Sequence, residues 1–132
     1  MHAHGRFEVN IAPQSPDSPS ARAAGLARMS LDKQFHGDLE AVSQGEMLAF
    51  GGGAQKDGAY VAMERVTGAL AGREGGFVLV HRSLLRDGMP VGWSVTVVPG
   101  SGTGALAGID GSMTIRIEGG RHEYEFDYTL PE

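Results

Sequence analysis

The sequence predicts an all-β fold, a single antiparallel eight-stranded β-barrel, and three observations carry that expectation. Glycine is abundant, 21 of 132 residues alongside 6 prolines, against ~7% glycine in an ordinary chain, which disfavours helical bundles. Apolar residues recur at every second position in run after run, the period of a half-buried strand. The glycines separate these runs instead of forming one low-complexity block, as hairpin turns require. A chain of this length makes one domain, here 1–132. Its 29 Leu, Ile, Val and Phe residues supply a modest core.

The first strand is His4–Ile11, with Phe7, Val9 and Ile11 on one side and Arg6, Glu8 and Asn10 on the other. Residues 12–24 then read as a Pro/Ser-rich mobile loop, because Pro13, Pro16 and Pro19 lack the backbone donor that pairing needs. Leu26–His36 resumes the alternation, with Met29, Leu31, Lys33 and Phe35 on one face. Gly37 breaks it, and Asp38–Phe50 forms a weaker strand with a bulge expected at Gly45. Gly58–Leu70 places Tyr60, Ala62, Glu64, Val66 and Leu70 opposite Val61, Met63 and Arg65; two partly apolar faces predict contacts on both sides. Phe77–Leu85 carries Phe77, Leu79, His81 and Leu85 together, and Gly92–Val98 carries Trp93, Val95 and Val97. Met113, Ile115 and Ile117 form the next apolar face. The last strand alternates His122, Tyr124, Phe126, Tyr128 and Leu130 with charged residues.

An internal repeat supports the hairpin reading. Thr67-Gly68-Ala69-Leu70-Ala71-Gly72 recurs letter for letter as Thr103-Gly104-Ala105-Leu106-Ala107-Gly108, and each copy runs into a β-rich segment. The expectation is one strand-turn-strand unit used twice. Closing eight such strands into a barrel also removes the edges that a β-rich chain would expose to aggregation.

Composition excludes several function classes. The absence of cysteine rules out a disulfide scaffold, a thiolate zinc site and a cysteine nucleophile. With 11 basic and 16 acidic side chains the net charge is −5, and no Lys or Arg run exists to follow a phosphate backbone, so no nucleic-acid partner is expected. No stretch has the apolar length of a membrane span or the pattern of a signal peptide, so no membrane partner and a cytoplasmic location are expected. Gly100-Ser101-Gly102-Thr103-Gly104 superficially suggests a phosphate loop. Pro99 precedes it, no Lys-Ser or Lys-Thr follows, and the downstream residues read as turn and strand, so it is a structural turn. His2 and His4 read as a frayed terminus, and neither a metal nor a cofactor is expected.

The side chains that could carry chemistry are identified by strand parity. Lys33, Glu64 and His81 each share the face of the larger apolar residues of their strands. If that face is the barrel interior, a cation, a carboxylate and an imidazole meet in a low-dielectric space, where charges persist only when paired and hydrogen-bonded. Glu46 joins them if a bulge at Gly45 turns it inward. Tyr60 adds a phenolic hydroxyl and Trp93 an aromatic surface. Such a set can anchor the polar end of a ligand, and Glu64 and His81 are the candidates for acid–base catalysis. Equally, Lys33 and Glu64 can be a core ion pair that sets strand register.

Several strings resemble a known family. Leu31-Asp32-Lys33-Gln34-Phe35-His36-Gly37-Asp38-Leu39-Glu40, Ser43-Gln44-Gly45-Glu46-Met47-Leu48, Tyr60-Val61-Ala62-Met63-Glu64-Arg65-Val66-Thr67-Gly68, Phe77-Val78-Leu79-Val80-His81, Val97-Val98-Pro99-Gly100-Ser101-Gly102-Thr103-Gly104 and the closing Gly119–Leu130 segment are similar to a bacterial family of unknown function with the allene-oxide-cyclase-like barrel. The resemblance implies an eight-stranded barrel that assembles into homo-oligomers. It implies a fold related to plant allene oxide cyclases and dirigent proteins, which hold apolar, oxygenated small molecules. No catalytic motif of those plant enzymes maps onto this sequence. The leading expectation is a barrel that binds a small, largely apolar ligand through Lys33, Glu46, Tyr60, Glu64, His81 and Trp93, with cyclase or isomerase chemistry as an extension. The alternative is a non-catalytic structural or interaction protein whose barrel is filled by its own side chains.

Overall fold

Each alternating run pairs with its neighbours along the chain. A computed structural model describes residues 1–14, 19–52 and 55–131. It contains β1 (His2–Gln14), α1 (Pro19–Ala24), β2 (Ala27–Gly37), β3 (Leu39–Gly52), β4 (Gln55–Leu70), β5 (Arg73–Arg86), β6 (Met89–Val97), β7 (Thr103–Gly104), β8 (Asp110–Glu118) and β9 (Arg121–Thr129). The ring runs β1-β2-β3-β4-β5-β6-β8-β9 and returns to β1, every pairing antiparallel, so eight strands close a barrel. The two-residue β7 lies outside that ring, against Gly75 and Gly76 of β5. Among the described residues no helix is long and apolar enough to cross a membrane.

The expected 12–24 loop is shorter than the prolines suggest. Ala12, Pro13 and Gln14 continue β1 and pair with Ser30, Met29 and Arg28. Pairing of β1 with β9 ends at Phe7, so the other side of β1 is an open edge by Pro13, where a missing N–H breaks no ladder. Pro19–Ala24 then form α1, which buries none of its residues. Pro16, and with it the remainder of that expectation, lies outside the described residues.

Gly45 is not a bulge. Its register is continuous, opposite Leu31 on one side and Glu64 on the other. Register shifts fall instead at Gly51/Gly52 and between Arg82 and Leu84. At the second of these, Gly92 and Trp93 stand opposite the single residue Ser83, and Gly92 takes a φ of 66°, which a side chain would resist.

The repeated hexapeptide adopts two shapes. In the first copy Gly68 stays extended between Ala41 and Gly75, and the chain turns at Ala71–Gly72 into β5. In the second, Gly104 takes a φ of 60° as the second of only two strand residues, and a turn follows. The copies flank β5 symmetrically, Thr67 and Thr103 on either side of Gly76. Because β3 lies beyond the first copy and no strand beyond the second, only the first is held extended. Gly100–Gly104 is the structural turn expected: Ser101 donates its backbone N–H and its hydroxyl to Val98 O, at 3.2 and 2.6 Å, and no helix follows.

The two ends of the barrel differ. At one end Phe35, Leu39, Leu70, Phe77, Phe126 and Tyr128 fill the interior, and Leu106 and Ile109 from the turn after β7 pack onto them. Tyr124 secures this end by accepting the Leu39 N–H at 2.9 Å and donating to His36 O at 3.0 Å, across the β2–β3 turn. The other end, where β1 leaves toward α1, holds the thinner packing of Ile11, Met47 and Ile117. On the outside, Leu48, Phe50, Val61, Met63, Leu84 and Val91 are exposed on four adjacent strands.

Candidate ligand-binding site

Strand parity turns Lys33 of β2, Glu64 of β4 and His81 of β5 into the barrel, and all three are buried. Glu64 sits opposite Gly45, whose missing side chain leaves the inner surface of β3 bare; a Cβ there would stand 1.9 Å from Met63 O. Across that gap Lys33 Nζ donates to Glu64 Oε2 at 2.8 Å, and Ser43 Oγ donates to Oε1 at 2.7 Å. His81 Nε2 lies against Oε2 as well. The Lys33 ammonium lies 4.8 Å from the Phe7 ring centre and 5.7 Å from that of Phe35, an arrangement in which the ring faces attract a cation. Burial alone would push the Glu64 carboxyl up. The His81 imidazole and the Lys33 ammonium outweigh burial and hold it down at about 2.

This cluster is the floor of a cup. Above it lies a cavity of about 170 Å³ to which all eight barrel strands contribute. Val9, Leu31, Ala62 and Ile115 form apolar walls, Trp93 and Tyr60 stand on adjoining sides, and Ile11, Ile117 and His122 form the rim. Trp93 keeps the inward parity of Val95 and Val97, and the β5–β6 bulge just before it leaves Val91 facing out beside Leu84. Its Nε1 is buried, close to the Tyr60 hydroxyl, without a hydrogen bond of acceptable geometry to any described group. Burial pushes the Tyr60 hydroxyl up in pKa; the nearby Trp93 N–H opposes this, and the Glu64 charge adds to it. Two other hollows, over His4 and Glu125 and over His2 and Asp127, lie on the outer surface among charged side chains.

Of the six residues the sequence singles out, five line this cup or its floor. Glu46 does not. It lies on the outer face and takes the Arg28 guanidinium in two hydrogen bonds of 2.6 and 2.8 Å. The register through Gly45 is unbroken, so Glu46 keeps the outward parity of Gln44 and Leu48. Sequence reasoning passed over Ser43 and His122. Ser43 was identifiable as the inward neighbour of Lys33 across β2–β3, and His122 as the first inward residue of β9, packed on Phe7.

Chemically, the floor is self-contained. Ser43 donates its proton to Glu64, whose depressed pKa makes it a weak base. Among the described residues no group of His, Asp and Glu could hold a metal ion.

Comparison with known proteins covers nearly the whole chain. A family model described as protein of unknown function, DUF3224, matches residues 3–128. No curated protein matches. A crystal structure of a DUF3224 protein of unknown function from Shewanella oneidensis MR-1 is 41% identical and superposes with a TM-score of 0.88, covering 100% of this chain and 98% of that one.

The buried carboxylate makes stability depend on pH in a defined direction. With the folded pKa depressed to about 2 from an ordinary 4.5, Glu64 contributes stability that is complete above about 4.5 and is lost as pH falls through about 2. Glu64→Gln removes this component of acid sensitivity and strands the Lys33 ammonium, at about 3–5 kcal/mol near neutral pH. Urea unfolding at a series of pH values measures both effects. A variant as stable as the parent at pH 7 would contradict the pairing.

Proposed function

Because the chain belongs to DUF3224, a family of unknown function, its activity must be argued from the cup, and we propose that the protein binds one small, largely apolar molecule there. The observation that carries this reading is the division of the barrel: one end filled and capped by its own side chains, the other holding an apolar-walled cavity of about 170 Å³ over a sealed polar floor. A dry cavity of ~150 Å³ accommodates a molecule the size of benzene. The sequence's resemblance to allene-oxide-cyclase-like barrels points the same way by analogy of fold. Binding is the primary reading because Glu64 is committed to Lys33 and Ser43. Cyclase or isomerase chemistry would have to draw on His81, which lines the cup.

Trp93 is the one tryptophan in the chain and lines the cavity, so its fluorescence reports occupancy. Methylenecyclohexane is a suitable apolar probe: saturable binding is expected, with the probe recovered unchanged. Ala62→Leu, which extends a side chain from the cup wall, should weaken binding at least tenfold while leaving the fold intact by circular dichroism. Absence of saturable binding to the parent protein would overturn the reading.

A second reading concerns the outer face, which we propose pairs with a second copy of the chain. Leu48 and Val61 are cross-strand neighbours, as are Met63 and Val80, so the exposed apolar side chains form one patch on β3, β4 and β5. Exposed apolar patches of this kind mark association surfaces. Glu46, which also holds Arg28, and Arg82 lie diagonally across Val61 and Met63, Glu46 on β3 and Arg82 on β5. A two-fold axis lying in the face between them sets Glu46 of each copy against Arg82 of the other, the reciprocity of an isologous interface. Light scattering should give at least a dimer mass for the parent and a monomer mass for Met63→Lys; a monomeric parent at high micromolar concentration would refute this reading.

A further inference from the structure

The proposed ligand has a polar requirement that can be read from what the cup leaves unsatisfied. The floor is turned in on itself: Glu64 accepts from Lys33 and Ser43, His81 Nε2 lies against Glu64 Oε2, and the Lys33 ammonium lies by the Phe7 and Phe35 rings. Unspent hydrogen-bonding capacity lies higher, on β4 and β6. The Trp93 indole N–H is buried beside the Tyr60 oxygen without a well-formed hydrogen bond to it or to any other described group. Such a donor ordinarily finds a partner, because leaving it unpaired costs free energy. The Tyr60 hydroxyl close beside it makes no hydrogen bond to another described side chain or backbone group. Two strands thus bring two donors together at one place on an otherwise apolar wall, Trp93 by the same inward parity as Val95 and Val97.

We infer that the cup recognises the carbonyl oxygen of a small apolar ketone or related compound, through the Tyr60 hydroxyl supported by the Trp93 indole N–H. This rests on the cup being a ligand site and adds what the ligand must carry. The chain of bonds runs in one direction: the indole N–H turns onto the phenolic oxygen, and the phenolic O–H donates to the ligand oxygen, each bond polarising the next. Tyr60 keeps its proton because burial and the Glu64 charge both disfavour the phenolate, so it is available as a donor throughout the neutral range. An acceptor is the better match than a donor because Glu64, the strongest acceptor nearby, is already occupied. The walls of Val9, Leu31, Ala62 and Ile115 leave the rest of the ligand apolar, and the volume limits it to about one ring.

The test compares cyclohexanone with methylenecyclohexane, which replaces C=O by C=CH₂ at nearly the same shape, on the parent protein and on Tyr60→Phe. Tyr60→Phe is expected to weaken cyclohexanone about threefold to tenfold, the range of one neutral hydrogen bond, and to leave methylenecyclohexane unchanged. The carbonyl stretch of bound cyclohexanone should be lowered in frequency by the parent and not by Tyr60→Phe, a signature that a purely structural role for Tyr60 would not produce. If Tyr60→Phe weakens both probes equally, or leaves both unchanged with no shift of the carbonyl stretch, the carbonyl assignment is wrong and the cup remains a ligand site. If the parent binds neither probe, the ligand site itself fails, and this assignment falls with it.

Discussion

A carboxylate taken out of water at the middle of a barrel has to be answered by donors, and the rest of this structure is arranged around that demand. Glu64 reaches over the bare backbone at Gly45 to Ser43 and Lys33, so three consecutive strands are tied at one level of the interior. A slip of one residue in β2, β3 or β4 would turn Lys33, Ser43 or Glu64 to the outside and strand the others. The hydrophobic alternation alone tolerates such a slip less sharply here, because β4 is apolar on both faces, with Val61 and Met63 outside and Ala62 and Val66 inside. The polar cluster supplies register where apolar patterning is ambiguous.

The same cluster separates two kinds of interior. Toward the capped end, rings are in contact from Phe7 through Phe35 to Tyr124, the last pair edge to face, and stack from Phe77 through Phe126 to Tyr128. Leu106 and Ile109 complete that packing from a turn outside the barrel ring. Toward the open end Val9, Leu31, Ala62 and Ile115 leave a space beside Tyr60 and Trp93, and an eight-stranded barrel has just enough width to be filled or to keep one small space. The protein fills half and keeps the space in the other half.

Much of this was legible in the sequence, and the omissions have physical causes. Period-two alternation identified eight strands and placed Lys33, Glu64 and His81 inside, because pleat parity leaves each residue only two directions. It could not identify Ser43, since a small polar residue in a weak strand carries no parity signal of its own until its cross-strand neighbour is known. Gly45 and Gly92 illustrate the limit from both sides. Each is a glycine within a strand run, yet the first makes room for Glu64 with its register intact, while the second takes a left-handed φ and makes the bulge. The repeated hexapeptide shows tertiary context overriding local sequence, identical residues being extended between two strands in one copy and turned where no second neighbour exists in the other.

The division of the barrel into a packed half and an open half is the central claim, and xenon diffraction tests it most directly, because xenon enters dry apolar cavities and little else. Crystals pressurised with xenon should show an ordered site in the cup, bounded by Leu31, Ala62 and Ile115 above the Lys33–Glu64 pair. The region among Phe35, Phe77 and Phe126 should remain free of xenon. Xenon among those rings, or none in the cup, would contradict the account.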